Sequence, residues 1–463
     1  LSFVGIDIGT SFIKGAILNI RGAELEHIRR VPFPAPISSL DPLKYEIDPV
    51  RILNIVRDLV TDLVNLTEEC EGIAMCAQMH SMVLMNDRGE VRSNCLGWRD
   101  QRALAPHPSG SGSYYEVLQQ RITGEQRRDL GNELPVGSPL CFLFQMSELD
   151  LLEPGTIPVS LPDFVLASLC GTEPSVEITN AMAYELINLR TLQWHADVIQ
   201  QLGLEKMSWP VLRRSGDIVG FIQIGERRVP CYTPVGDYQC ALVGAMLTDH
   251  ELSLNISTGS QVSRLTSSLE LGDYQTRPFF DGRFTNTLSH LPAGRSLNIL
   301  VDLLEEIARN SGIALENSWA YIAQAAAAVD RTDLSAKLTF FRGPCGNRGA
   351  ITNISETNFN VGTLFRAAFE NMAENYYSCA LRIWPDRSWS NIVFSGGLAD
   401  KLPLLRHIIE DRFQTKARLS PVAEDTMFGL LALATSFARE ARSVEEAVEQ
   451  LKSNFNFDAP SKD

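Results

Sequence analysis

Residues 1–18 read LSFVGIDIGTSFIKGAIL. Apolar residues alternate as far as Asp7, the run breaks at Gly9-Thr10-Ser11, and alternation resumes from Phe12. A period of two predicts strands over 3–8 and 12–19. The break between them has two readings: a plain β-hairpin with a polar turn, or a turn that holds a phosphate and a metal between two strands. Asp7 favours the second, because an unpaired carboxylate in a buried strand is costly and needs a partner. Lys14 reads as a solvated or structural residue.

Outward from this stretch, 463 residues are too many for one ordinary core, so two or three domains are expected. The chain is 44% hydrophobic and 21% charged, a globular composition. Its net charge of −15 argues against nucleic acid or an anionic membrane as the main partner. A nucleotide substrate stays open, since a divalent cation and a few donors reverse the local sign. Nine cysteines are scattered without a CxxC pair, which suits free thiols in a reducing compartment. The chain opens directly on a strand, without the pattern of a signal peptide, and no apolar run reaches the length of a membrane span, so the expected location is cytoplasmic.

The segment RGAELEHIRRVPF suits a turn and a further strand, and apolar spacing predicts a helix over 49–66. GIAMCAQMHSMVLMNDRGEV reads as strand, interruption, strand, so the first hundred residues favour a sheet covered by helices. Between 101 and 215 the pattern is more helical, with LPDFVLASLC ended by Gly171 and NLRTLQWHADVIQQL ended by Gly203. This region reads as an insertion that builds a pocket wall. CYTPVGDYQCALVGAML then reads as strand, Gly-Asp turn and helix. LSLNISTGSQVSRL at 252–265 repeats the logic of VGIDIGTSFIK at 4–14, which suggests two related domains whose hairpin turns serve one cleft. Helices are expected from VGTLFRAAFENMAENYYSCALRIW, from the residues after Ser395-Gly396-Gly397, and from TMFGLLALATSFA.

The chain has no GxxxxGK[ST], no strand followed by GxGxxG, no GxSxG and no HExxH. What remains is four polar turns at the ends of expected strands: Asp7 to Ser11, Gly236-Asp237, Ser257 to Ser260, and Ser395 to Gly397. Hydroxyls and free N–H groups in such turns cradle phosphates. A strand-borne Asp can hold Mg²⁺ through water, and a second Asp can accept the proton of an attacking hydroxyl. Gly236-Asp237 also reads as a plain helix N-cap.

Six segments in order, GIDIGTSFIK, AQMHSMVLMNDRGE, GWRDQR, VGDYQCALVGA, NISTGSQV and FSGGLADKLPLLRHII, resemble the FGGY carbohydrate kinases of the actin/hexokinase superfamily. The resemblance implies an α/β fold of two ribonuclease-H-like domains flanking a cleft. Residues 1–247 would form the sugar-binding side and 248–441 the nucleotide-binding side, with the C-terminal helix and tail, 442–463, returning toward the first domain. It implies ATP and Mg²⁺ as cofactors and transfer of the γ-phosphate to the terminal hydroxyl of a ketose. By motif, Asp7 resembles the metal-associated carboxylate, and Gly9, Thr10 and Ser11 the first phosphate turn. Thr258, Gly259 and Ser260 resemble the second, with Gly294, Gly396 and Gly397 on the nucleotide side. Asp237 resembles the catalytic base, also in contact with the sugar. Gln78, Met79 and His80, then Trp98, Asp100 and Arg102, resemble the sugar-binding segments.

The stretches LNIST, PDFVLASLCG and TNISETNFNVGTLFRAAFENMAENYYS look most like sedoheptulokinases, while QMH and the GDxQ turn are shared with xylulokinases. Met79-His80 stand where glycerol kinases carry Arg-Glu, which makes glycerol a poor expectation. Ala77 and Ser81 replace flanking glycines, STGS replaces GTS, Tyr238 replaces Asn, and Ala293-Gly294-Arg295 replaces a Gly-Gly pair. Arg295 would therefore either meet a phosphate or block it. The expected partners are a small sugar and ATP, on a monomer or homodimer. The contrasting reading is a non-catalytic nucleotide-binding protein on the same fold.

Overall fold

The computed structural model describes residues 1–313 and 315–455. The opening strand, Ser2–Ile8, is buried along nearly its whole length, because helices cover both faces of its sheet. It pairs antiparallel with Phe12–Asn19, setting Asp7 opposite Lys14, and parallel with Cys70–Ala77, setting Asp7 beside Cys76. The sheet runs Ile218–Ile224, Arg227–Tyr232, Cys70–Ala77, Ser2–Ile8, Phe12–Asn19, Glu24–Pro32, and the short strand Val235–Gly236 also pairs with Cys70–Ala77.

A second sheet repeats the plan. Its order is Gln275–Pro278, Phe284–Leu291, Ser260–Thr266, Glu251–Ile256, Asn391–Ser395, Ala417–Leu419. In each sheet an antiparallel hairpin begins the unit, and its first strand pairs in parallel with a strand that arrives after a helical crossover. The similarity between residues 4–14 and 252–265 is thus a similarity of position as well as of pattern.

Helix Pro49–Leu66 covers one face of the first sheet through Ile52, Val56, Leu59, Val60 and Leu63. Asp48 caps it by accepting from the Val50 N–H at 2.9 Å, and Pro49 occupies a first-turn position where its missing N–H costs nothing. Leu161–Cys170 lies on the same side and ends at Gly171, whose φ of +64° is the left-handed stop expected there. Helices Gly294–Asn310, Val361–Ile383 and Pro403–Phe413 cover the second sheet.

Two features differ from the sequence reading. Residues 188–203 are not one helix: Ile187–Asn188 pairs with Gln193–Trp194 as a hairpin, and only Ala196–Gln201 is helical. The Asn188 side chain accepts from the Arg190 N–H at 2.9 Å and Leu192 takes φ +51°, so local turn chemistry wins. Trp194 then packs edge-on against Tyr184 and at a tilt against Trp209, packing that periodicity cannot anticipate. Second, helix Asp425–Phe437 packs on the first sheet, beside helix Asp237–Gly244, although its place in the chain suggests the second domain. The return to the first domain therefore begins before residue 442. A Cβ at Gly244 would lie 1.8 Å from the Asp425 carbonyl oxygen, and one at Gly429 would lie 2.0 Å from that of Cys240, so only glycine allows this crossing. Helix Val444–Lys452 docks on the pair, its first turn donating to the Asp281 carboxylate. Among the described residues no helix is long and apolar enough to cross a membrane.

Candidate active site

Three parallel strands of the first sheet end together. Asp7 lies beside Cys76, Val235 beside Cys76 and Gly236 beside Ala77, so one edge delivers Asp7, the Gln78-Met79-His80 segment and Asp237. The carboxyl ends of parallel strands are where α/β sheets bind ligands.

The Gly9 N–H donates to the Phe12 carbonyl at 3.1 Å and closes the first turn, leaving Thr10 half-buried and Ser11 exposed. Asp7 is buried. Its Oδ2 accepts from Thr426 Oγ1 at 2.7 Å, and Lys14 Nζ lies 3.8 Å away. Oδ1 has no partner. Lys14 sits 2.8 Å from Glu424, so it joins the strand to the start of helix Asp425–Phe437, the structural role read from the sequence. Burial pushes the Asp7 carboxyl above its ordinary range. Asp237 opens its helix half-buried. Burial and the Asp7 charge push its carboxyl up to about 7, against the Tyr238 N–H and the charges of Arg277 and His80.

In the second turn the Ser257 N–H donates to the Gly259 carbonyl at 3.1 Å, and Thr258 and Gly259 are exposed. Ser260 points inward instead, its hydroxyl 2.9 Å from the Tyr376 hydroxyl. Gly294 holds this turn: its N–H donates to Ser257 at 3.1 Å, the Arg295 N–H donates to Thr258 at 2.8 Å, and a Cβ at 294 would stand 2.9 Å from the Ser257 oxygen. The exposed Arg295 guanidinium lies 4.7 Å from the centre of the Phe341 ring. Gly396 has φ +87° and would push a Cβ to 2.6 Å from the Ile256 oxygen, whereas Gly397 faces open space.

Gln78 is buried, its N–H donating to Ile8 at 2.9 Å, and it shares a small recess with Thr10, Tyr45, Ser81, Trp98 and Arg99. The Ser81 hydroxyl is buried without a partner, and Trp98 is 45% exposed, with the Arg99 guanidinium 5.0 Å from its ring centre. Asp100 and Arg102 are occupied elsewhere: Arg102 donates to both Asp100 oxygens at 2.8 Å and to Glu46 at 2.5 Å, and Asp100 also accepts from the Tyr45 N–H at 2.8 Å. They shape the loop that carries Trp98 rather than offering free groups to a sugar. His80 adopts φ +60°, a strained left-handed backbone, and its Nε2 lies 3.2 Å from Glu185 Oε1 and 3.9 Å from Glu133 Oε1. Burial disfavours its charged form, yet these two carboxylates outweigh burial and hold the imidazole above its ordinary value. Arg277 Nη1 is 3.9 Å from the Met79 sulfur, and its guanidinium lies 4.7 Å from the centre of the Tyr238 ring. Glu133, Glu185 and Arg277 escaped the sequence reading, because each stands in a stretch with no local motif.

The residues suit the groups that the fold implies. The orphaned Asp7 oxygen is a fitting ligand, direct or through water, for a divalent cation shared with phosphates. At the second sheet the turns at Gly294 and Gly396 are packed against backbone oxygens, and Gly397 faces open space.

Residues 2–112 match the model of the N-terminal domain of the FGGY family of carbohydrate kinases. Human sedoheptulokinase is 22% identical, over 89% of this chain and 92% of that protein. The fold superposes on a gluconate kinase from Lactobacillus acidophilus with a TM-score of 0.84 at 16% identity, covering 97% of this chain and 92% of that one. It superposes on a xylulose kinase from Rhodospirillum rubrum with a TM-score of 0.83 at 17% identity and the same coverage. The match over residues 2–112, the duplicated sheets and the shared strand ends together make this chain similar, in its N-terminal domain and in its fold, to the FGGY family of carbohydrate kinases.

Proposed function

We propose that the protein transfers the γ-phosphate of Mg²⁺-ATP to the terminal hydroxyl of a ketose, with sedoheptulose the leading substrate and xylulose or another pentulose or polyol the runner-up. The observation that carries the reading is the placement of Asp7 and Asp237 on one strand edge, close enough for one charge to raise the other's pKa. Gln78, Met79, His80 and Trp98 hold the sugar. Asp237 takes the proton of the attacking hydroxyl, for which a carboxyl poised near neutrality is suited. Asp7 orients the cation, which when bound neutralises phosphate charge. The turns at Gly9 to Ser11 and at Thr258-Gly259 donate N–H groups to the phosphates, and closure of the cleft keeps water from the γ-phosphate. ATP and Mg²⁺ suit the cytoplasmic setting that the free thiols suggest.

The test is ADP release with Mg²⁺-ATP and a panel of sedoheptulose, D-xylulose, D- and L-ribulose, fructose and glycerol. A rate well above the sugar-free background with one ketose is expected. A flat panel with ATP still bound would move the reading to a non-catalytic nucleotide-binding protein.

A further inference from the structure

Glu133 and Arg277 meet across the two domains. Glu133 belongs to the helical insertion of the first domain, and Arg277 to the edge strand of the second sheet. Arg277 Nε donates to Glu133 Oε2 at 2.7 Å and Nη2 to Oε1, and both side chains are less than a tenth exposed. The backbones are clasped there too. The Thr276 N–H donates to Gly131 at 3.1 Å, and the Asn132 amide donates to Gly272 at 2.6 Å and Tyr274 at 3.1 Å. Gly131 has φ +74° and would drive a Cβ to 2.3 Å from the Thr276 oxygen, so no other residue fits that approach.

This clasp stands at the sugar end of the cleft, against Met79, His80 and Tyr238. Glu133 takes up two donors of the buried Arg277 guanidinium, and a charge so paired is poorly available to an anion. Carboxyl groups predominate around it, with the His80 imidazole between two of them. Glu185 is completely buried, with Oε1 3.2 Å from His80 Nε2 and Oε2 without a hydrogen-bond partner. Asp237 and Asp7 add two further carboxyls. Hydroxyls can donate to such a wall, whereas a carboxylate would meet like charge. The fold itself does not decide between them, since a gluconate kinase shares it.

Resting on the kinase reading above, we propose that Glu133, acting through Arg277, is a specificity-determining residue that confines the acceptor to uncharged polyhydroxy compounds and refuses sugar acids.

The test compares kcat/KM for the neutral panel with that for gluconate, in the wild type, Glu133→Gln and Glu133→Asp, with thermal midpoints recorded alongside. The wild type should prefer its best neutral acceptor over gluconate by at least about 100-fold. Glu133→Gln frees the guanidinium and should cut that ratio at least about tenfold, mainly through KM, while Glu133→Asp preserves it. The double variant Glu133→Gln/Arg277→Met carries no unpaired charge and should return toward the wild-type ratio; it also serves if the single variant does not fold. Gluconate turnover within tenfold of the best neutral acceptor, or an unchanged ratio in Glu133→Gln, overturns the inference and leaves the kinase reading standing. Turnover of neither class overturns the kinase reading, and this inference with it.

Discussion

The two sheets share a strand order but not a chemistry. At matching places in their first hairpins stand Asp7, opposite Lys14, and Asn255, opposite Gln261. Asp7 keeps an unpartnered oxygen at the cleft, whereas the Asn255 amide donates to Ser395 at 3.0 Å and accepts from Ser257 at 3.2 Å. The first half thus holds charge ready for a ligand, and the second holds its own turns together. Close backbone approach follows the same division. At the second sheet Gly294 and Gly396 both sit where a Cβ would meet a carbonyl oxygen, while the first turn is shaped around its carboxylate. A duplicated frame therefore carries carboxyl groups on one side and close backbone approach on the other, which is the division the proposed function uses.

The strongest way to break this comparison is Asp237→Asn, which removes the proposed base and leaves the second sheet untouched. Transfer should fall by on the order of 10³-fold while ATP binding, followed calorimetrically, stays within a few-fold. Loss of ATP binding in parallel would show that the halves do not divide the work. Asp7→Asn copies the second hairpin into the first and should lower kcat by about 10²-fold, with a weaker dependence on Mg²⁺. The same variant should unfold at higher temperature near pH 8. Burial raises the folded-state pKa of Asp7 above its unfolded value, so its ionised form destabilises the fold as pH rises through that value. An unchanged or lower midpoint would mean that Lys14 and Thr426 fully compensate the charge.

On the second side, Gly396→Ala meets both a positive φ and the Ile256 oxygen and should cost about 2–3 kcal/mol in urea denaturation. Gly397→Ala, with nothing near its Cβ, should stay within about 0.5 kcal/mol. A pH profile sharpens the comparison further. With Asp237 at about 7, kcat/KM should rise through neutrality and level off above it, and Asp7→Asn should move that inflection downward by removing the neighbouring charge. An inflection that ignores Asp7 would separate the two carboxyls. The smallest effect belongs to Arg295→Ala, expected to change ATP affinity less than about threefold, because the side chain is exposed and stacked on Phe341.

The sequence reading reached both hairpins, the helices at 49–66 and 161–170, and the glycine turns, because each is written in local periodicity or turn chemistry. It stopped at pairings made only by the fold. Glu133 and Arg277 are 144 residues apart, and nothing near either marks the other. The inward turn of Ser260 depends on Tyr376, 116 residues away. The helical reading of 188–203 failed because a side-chain turn and three packed aromatic rings outweigh a weak period. Asp100 and Arg102 stand in a family-like segment, yet whether a side chain faces a sugar or a neighbouring carboxylate is not encoded in its spacing.

The glycine crossing of helices Asp237–Gly244 and Asp425–Phe437 bears on how the chain is made. Met427, Phe428, Leu430 and Leu431 complete a core begun by Phe3, Ala16, Leu18 and Ala74. During synthesis the first sheet must wait with that face open until about 190 further residues have emerged, on the order of tens of seconds at ribosomal speed. Chaperone dependence should accordingly concentrate on the N-terminal sheet, and a chain cut before residue 425 should be captured through the apolar face that the missing helix would have covered.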